Sequence, residues 1–245
     1  MGVVLVTGAS SGIGAAISAV FAQGGWQVMA AGRDEARLEE VADPFDEMAT
    51  WVGELGERED CDELVNDTLD EFGQLDCLVN SAGILPRGDI TQTSDDDWDD
   101  ALTVNLSVPF WLCRAAVTHL VAAAGSIVNI ASYWGLHPGA RTAAYAVSKA
   151  GLIMLTKALA KDFAGQGLRA NVICPGAVDT PMLAQGAAEA GMNIDRYLAA
   201  VAESSPNGRL ATPEDIASLA LFLAGDEASH INGATIPIDG GLAVG

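Results

Sequence analysis

The chain has 245 residues, half of them hydrophobic and 18% charged, which are the proportions of one globular domain with a sizeable core and not of a disordered polymer. A formal net charge of −21, with only three lysines (Lys149, Lys157, Lys161), argues against a nucleic-acid or anionic-membrane surface, since both need stripes of Lys and Arg. No uninterrupted apolar run approaches the roughly 18 residues that span a bilayer, and the chain enters its first apolar stretch without a signal-peptide pattern. Cys61, Cys77, Cys113 and Cys174 are scattered without a CxxC pair, which fits buried reduced thiols and a cytoplasmic location.

In chain order, the apolar run at 3–7 is long enough for a buried parallel strand and too short for a helix. It runs into Thr7-Gly8-Ala9-Ser10-Ser11-Gly12-Ile13-Gly14 and then a helical pattern over 12–24. Strand, glycine turn and helix is the setting in which a backbone can approach a dinucleotide pyrophosphate, with the N–H groups of the helix start favouring its charge. The spacing is Gly-x3-Gly-x-Gly, a longer first turn than G-x-G-x-x-G. Further strands are expected at 27–31, 49–52, 76–80, 126–131, 169–174 and 235–238. Further helices are expected at 34–42, 60–72, 95–123, 142–165 and 213–224. Such alternation predicts an α/β fold, a doubly wound parallel sheet of about seven strands with helices on both faces. The acidic run Asp95-Asp96-Asp97 with Asp99-Asp100 resembles a metal cluster, yet Ser94 three residues before Asp97 reads as a helix N-terminus, so no metal site is assigned.

Tyr145 and Lys149 stand four residues apart in a helical segment, so their side chains share one face. An ammonium beside a phenol favours the phenolate and predicts a lowered pKa, which makes an acid/base for an alcohol or a carbonyl. Neither Tyr133 nor Tyr197 has a Lys at that spacing. Taken alone, the pair also fits an ordinary solvated helix face.

With the glycine turn, this pair resembles the short-chain dehydrogenase/reductase (SDR) family in its compact single-domain branch. Further landmarks follow in order: Asn80-Ser81-Ala82-Gly83, Asn105, Ser132 thirteen residues before Tyr145, Pro175-Gly176 with Val178 and Thr180, and Asp239-Gly240-Gly241. The resemblance covers the whole chain and implies one dinucleotide-binding and catalytic domain over 1–245, with a substrate lid around 182–205. It implies that Ser132 binds the substrate oxygen, that Tyr145 exchanges the proton, and that Lys149 stabilises the phenolate and holds the nicotinamide ribose. Asn105 would order a water leading toward Lys149. The cofactor would lie on Gly8, Ser10, Ser11, Gly12, Ile13, Gly14, Arg33, Glu54, Leu55, Asn80, Ala82, Gly83, Pro175, Gly176, Val178 and Thr180. Gly32 and then Arg33 stand where a carboxylate would select NAD(H), so NADP(H) is the expected cofactor and NAD(H) the alternative.

Leu85, Trp134, His137, Met182 and Leu183 fall where such enzymes line the substrate pocket. The expected activity is that of a ketoreductase/alcohol dehydrogenase acting on a small or medium carbonyl compound, in a homotetramer. Reduction of 3-oxoacyl groups on a carrier protein or CoA is the alternative, disfavoured for carrier proteins because they are acidic, like this chain. A non-catalytic cofactor sensor on the same fold normally lacks the Ser, Tyr or Lys, and all three are present.

Overall fold

Short apolar runs separated by helix-length segments favour strands laid side by side and parallel, each crossover returning over one face of the sheet. The computed structural model, which describes residues 2–244, has that architecture. Strands β1 (Val3–Thr7), β2 (Gln27–Gly32), β3 (Met48–Val52), β4 (Cys77–Asn80), β5 (Ser126–Ile130), β6 (Arg169–Pro175) and β7 (Thr235–Ile238) form one all-parallel sheet in the order β3-β2-β1-β4-β5-β6-β7. Every expected strand lies within one residue of an observed one. The strand order reverses between β1 and β4, and the crevice beyond the carboxyl ends of those strands is where ligands bind in such sheets.

The helices are α1 (Gly12–Gln23), α2 (Glu35–Ala42), α3 (Arg58–Phe72), α4 (Asp95–Leu102), α5 (Val108–Ala122), α6 (Ala143–Phe163), α7 (Pro181–Glu189), α8 (Ile194–Ser204) and α9 (Pro213–Ala224). Alternation along β1 distributes its side chains between two layers. Val4 and Val6 pack with Ile17 and Phe21 of α1, Leu38 of α2 and Ile216 of α9. Val3 and Leu5 pack with Leu64 of α3 and Leu112 and Leu120 of α5. Leu152 and Ile153 of α6 close the same layer over β6 with Val172 and Cys174. All of these are essentially inaccessible, so both faces of the sheet are sealed.

Three sequence expectations need correction. The helix expected over 95–123 is interrupted by a π-helical turn at Thr103–Ser107. Pro109 follows it and has no N–H to give the carbonyl four residues back, so regular bonding cannot continue there. Two helices beyond the expected set fill 182–205: Thr180 caps α7 through the Leu183 N–H, Pro181 occupies the first turn, and Asn193 caps α8 through the N–H groups of Asp195 and Arg196. Two stretches, Asp95–Ala122 and Ala143–Gln166, are long and apolar enough to cross a membrane by length and composition, each with a mean hydropathy of 1.2, which a count of uninterrupted apolar runs misses. Here they are core helices, and their buried stripes are the ones that seal the sheet. The acidic cluster behaves as expected of a helix start, with the Ser94 hydroxyl accepting from the Asp97 N–H at 3.0 Å.

Candidate active site

The crevice starts at the glycine turn. Gly8 and Gly12 have φ of +68° and +55°, conformations that side-chain-bearing residues rarely adopt. A Cβ on Gly8 would stand 2.8 Å from the Ala82 Cα, so the turn after β1 and the segment after β4 approach at a distance only glycine permits. Thr7 fixes that approach, its hydroxyl accepting from the N–H groups of Ser81 and Ala82 at 3.1 and 3.2 Å. Ser11 precedes α1 with extended backbone and makes no side-chain capping bond, which leaves the positive end of the helix open to an anion.

A groove of about 250 Å³ runs from this turn. Of the residues assigned to the cofactor, Gly8, Ser10, Ser11, Gly12, Ile13, Gly14, Arg33, Glu54, Leu55, Ala82, Gly83 and Thr180 line it. Ala31, Gly32, Gly53, Ser81, Ile84, Val104, Val108, Pro181 and Met182 line it as well, and sequence reasoning did not assign them to the cofactor. Most neighbour an assigned residue, whereas Val104 and Val108 come from the π-turn region and carry no motif.

Asn80, Pro175, Gly176 and Val178 lie outside the groove wall, as do Tyr145 and Lys149, which the resemblance also assigns to the cofactor. The Asn80 side chain turns into the core, where Nδ2 donates to Asn129 Oδ1 at 2.8 Å across the β4–β5 pair. Asn129 in turn donates to the Thr156 hydroxyl of α6 at 2.8 Å, so Asn80 is the outer end of a buried polar chain. Pro175 ends β6, Gly176 donates its N–H to the Ile238 carbonyl at 2.8 Å, and Val178 packs in the α1/α9 layer. These three shape the floor behind Thr180.

At the end of the groove nearest β2 and β3, Arg33 Nη1 reaches Glu54 Oε1 at 3.4 Å, both side chains largely exposed. Asp34 caps α2 and pairs with Arg37, so it does not compete for Arg33. A Cβ at Gly32 would already sit 3.3 Å from the Ser10 side chain, which leaves little room there for a carboxylate.

At the other end, α6 brings Tyr145 and Lys149 beside Ser132, which follows β5. All three are buried, and Ser132 is hydrogen-bonded to Tyr145. Lys149 Nζ donates to the Ile130 carbonyl at 2.9 Å and stands 5.8 Å from the centre of the Tyr145 ring. The phenol is not lowered, as the helical spacing alone predicts. Burial dominates and pushes Tyr145 up, with the Ser132 hydrogen bond acting against it. The same burial takes Lys149 down to about 8. Low polarity disfavours both charges; near neutral pH the phenol stays protonated, while the Lys149 amine, near 8, is still mostly the ammonium.

Asn105 sits in the π-helical turn and is fully buried. Its Nδ2 donates to the Ile84 carbonyl and to the Ser148 hydroxyl, both at 3.0 Å, and its Oδ1 accepts from the Ile84 N–H at 2.9 Å. The side chain thus braces the loop after β4 against α6. A Cβ on Gly83 would stand 3.1 Å from Asn105 Oδ1 and 3.3 Å from Lys149 Nζ, so this glycine keeps the space between them clear.

Trp134 stands edge-on to Tyr145, ring centres 6.1 Å apart. Met182 and Leu183 lie in the first turn of α7, Met182 reaching the groove. Leu85, next to Ile84, is half-buried. His137 is exposed and stacks on Tyr133, ring centres 5.3 Å apart. Arg87, which carried no motif, lies over the Trp134 ring at 5.5 Å. A buried hydroxyl pair beside an amine, at the end of a groove with an anion-favouring helix terminus, can hold a bound oxygen and pass it a proton.

A profile described as enoyl-(acyl carrier protein) reductase matches residues 8–243. The chain is 35% identical over 250 residues to a 3-oxoacyl-[acyl-carrier-protein] reductase of Thermotoga maritima, covering 99% of this chain and 98% of that protein. It is 33% identical to dehydrogenase/reductase SDR family member 6 of Rattus norvegicus, covering 99% and 97%. Among solved structures it superposes with a TM-score of 0.90 and 37% identity on a putative NAD(P)-dependent gluconate 5-dehydrogenase from Beutenbergia cavernae with bound NADP at low occupancy, covering 100% and 97%. The sheet order, the glycine turn and the Ser132–Tyr145–Lys149 constellation agree with these similarities over the full length: the chain belongs to the short-chain dehydrogenase/reductase family.

Proposed function

We propose that the protein interconverts a ketone or aldehyde and an alcohol by hydride exchange with a nicotinamide dinucleotide, Tyr145 being the acid/base. The observation that carries this reading is the buried Ser132–Tyr145 hydrogen bond with Lys149 on the same helix face. Gly8 to Gly14 suit a pyrophosphate, because the backbone is accessible there and the α1 terminus favours negative charge. The nicotinamide, when bound, supplies or accepts the hydride. In reduction, Ser132 Oγ holds the substrate oxygen and Tyr145 Oη donates its proton to it. In oxidation the proton returns to Tyr145. Lys149 stabilises the phenolate so formed, since its amine, near 8, is mostly the ammonium at neutral pH and lies over the Tyr145 ring.

NADP(H) is the cofactor this reading prefers. Support comes from Arg33, whose exposed guanidinium faces the groove with only the long Glu54 contact to give up, and from Gly32, where a diol-binding carboxylate would be crowded. The α7–α8 hairpin over 182–205 serves as the substrate lid. A homotetramer is supported by the exposed apolar residues Phe110 of α5 and Val147 and Met154 of α6, and a cytoplasmic site by four buried free thiols. A 3-oxoacyl thioester reductase is the second reading, favoured by the acyl-carrier-protein reductase relative.

Fluorescence titration with NADPH and NADH, followed by a ketone panel that includes acetoacetyl-CoA, tests these points. Tyr145→Phe is expected to lose at least about a hundredfold in kcat. Undiminished turnover would refute the mechanism, and tight NADH binding with negligible NADPH binding would refute the role of Arg33.

A further inference from the structure

Arg33 and Glu54 follow the ends of two neighbouring strands, and the sheet itself sets them side by side. Gly32 of β2 pairs with Val52 of β3, and the Gly53 N–H donates to the Gly32 carbonyl at 3.0 Å, which carries the pairing one residue past β3. The next residue on each chain is Arg33 or Glu54. Trp51 and Leu55, on either side of Glu54 in the sequence, pack into the α3/α5 layer, and the Trp51 indole N–H donates to Asp67 of α3 at 3.0 Å. A Cβ on Gly53 would collide with that indole, so a side chain there would push the ring from its place. Packing thus fixes the backbone under Glu54 while its side chain stays at the surface.

Both side chains line the groove that starts at the glycine turn, and they carry opposite charges. Arg33 Nη1 meets Glu54 Oε1 at 3.4 Å, a long contact between side chains 71% and 76% exposed. Such a surface pair is weak and easily opened. Asp34 is engaged by Arg37 and by the α2 cap, so among the described residues Glu54 is the carboxylate paired with Arg33. The groove therefore offers an incoming nucleotide one cation and one anion at the same place. A phosphate monoester, with about 1.5 to 2 negative charges near neutral pH, gains from the guanidinium and loses to the carboxylate. An uncharged hydroxyl in its place feels neither strongly.

We propose that Glu54 is a specificity-determining residue that works against Arg33: it holds down the preference for a 2′-phosphate, so that the groove takes both NADP(H) and NAD(H). The proposal rests on the dinucleotide reading above and deepens it. Arg33 gives the phosphate a charge-assisted contact. Glu54 opposes that contact twice, by occupying the guanidinium in the empty groove and by repelling the phosphate when it arrives. A nucleotide ending in a ribose diol needs no guanidinium and carries no charge there, so Glu54 acts on the ratio of the two affinities and not on both alike. Exposure to water and salt limits the combined effect to about three- to tenfold in affinity.

The test is direct binding, by fluorescence titration with NADPH and with NADH at low ionic strength and without substrate. The readout is the ratio of dissociation constants, NADH over NADPH. Glu54→Gln is expected to raise it about three- to tenfold, through tighter NADPH, with NADH changed less than about twofold. Arg33→Gln is expected to lower it at least about tenfold. The gain in Glu54→Gln is expected to shrink as salt is added, which a change of shape alone would not do. A ratio that Glu54→Gln leaves unchanged or lowers, a gain that salt does not diminish, or a wild-type protein that binds one nucleotide and not the other, overturns the role of Glu54 and leaves the oxidoreductase reading standing. Binding of neither nucleotide by the wild-type protein overturns both.

Discussion

Gly8→Ala tests whether the cofactor groove depends on the contact between the two turns that form it. The new methyl would sit 2.8 Å from Ala82 Cα and 2.9 Å from the Ala82 nitrogen, where ordinary contacts begin at 3.4 Å. One backbone must therefore retreat by about half an ångström, which typically costs about 1–3 kcal/mol when neighbours are rigid. The residue would also hold φ near +68°, worth about a further 1–2 kcal/mol for an L side chain. Retreat stretches the hydrogen bonds from Ser81 and Ala82 to the Thr7 hydroxyl, which are already 3.1 and 3.2 Å long. The expected loss of stability is about 2–5 kcal/mol, a fall in Tm of roughly 5–15 °C for a domain of this size. The groove should also widen, weakening NADPH at least about tenfold. Gly165→Ala is the control, since a Cβ there meets nothing within 4 Å. Thermal melts and fluorescence titrations on the two variants provide the readout. A Gly8→Ala protein that melts within about 2 °C of wild type and binds NADPH normally would refute this account of the turn.

Asn105→Ala removes all three bonds that brace Ile84 and Ser148 and leaves the half-buried Ile84 N–H without its partner, so a loss of about 2–4 kcal/mol is expected in guanidinium unfolding. Lys149, lowered to about 8 by burial, binds fewer protons folded than unfolded between that value and its ordinary 10.5. Its contribution to stability therefore improves as pH climbs through that window, and the advantage of Lys149→Met over wild type should shrink there; a gap independent of pH contradicts the shift. Ala124 follows α5 with φ of +48°, so Ala124→Gly should raise stability by about 1 kcal/mol in the same assay.

What the sequence carried locally, the structure repeats. The strand at 3–7, the glycine turn and the Tyr145–Lys149 face depend on neighbours in the chain, and each was legible from period and residue type. Asn80 was not, because its partner Asn129 is set by the pairing of β4 with β5. Nor was the rise in the Tyr145 pKa, since burial depends on what packs around the phenol and not on the spacing of the pair. The helices α7 and α8 carried readable caps in Thr180-Pro181 and Asn193, and α8 carried an apolar period at Ile194, Tyr197, Leu198 and Val201 as well, yet neither helix buries a large side chain in the core. Arg87 was invisible for a similar reason: its contacts, with Trp134 and Glu189, come from other parts of the chain.

The four cysteines have a use beyond filling the core. Burial holds Cys61, Cys77 and Cys113 at about 12 and Cys174 at about 11, so almost no thiolate exists near neutral pH and none of the sulfurs is exposed to a reagent. An alkylating probe can then label them only when the surrounding structure opens. Cys61 is on α3, Cys77 on β4, Cys113 on α5 and Cys174 on β6. Site-by-site labelling rates would therefore act as four built-in clocks, reporting how often each part of the interior breathes without any engineered probe.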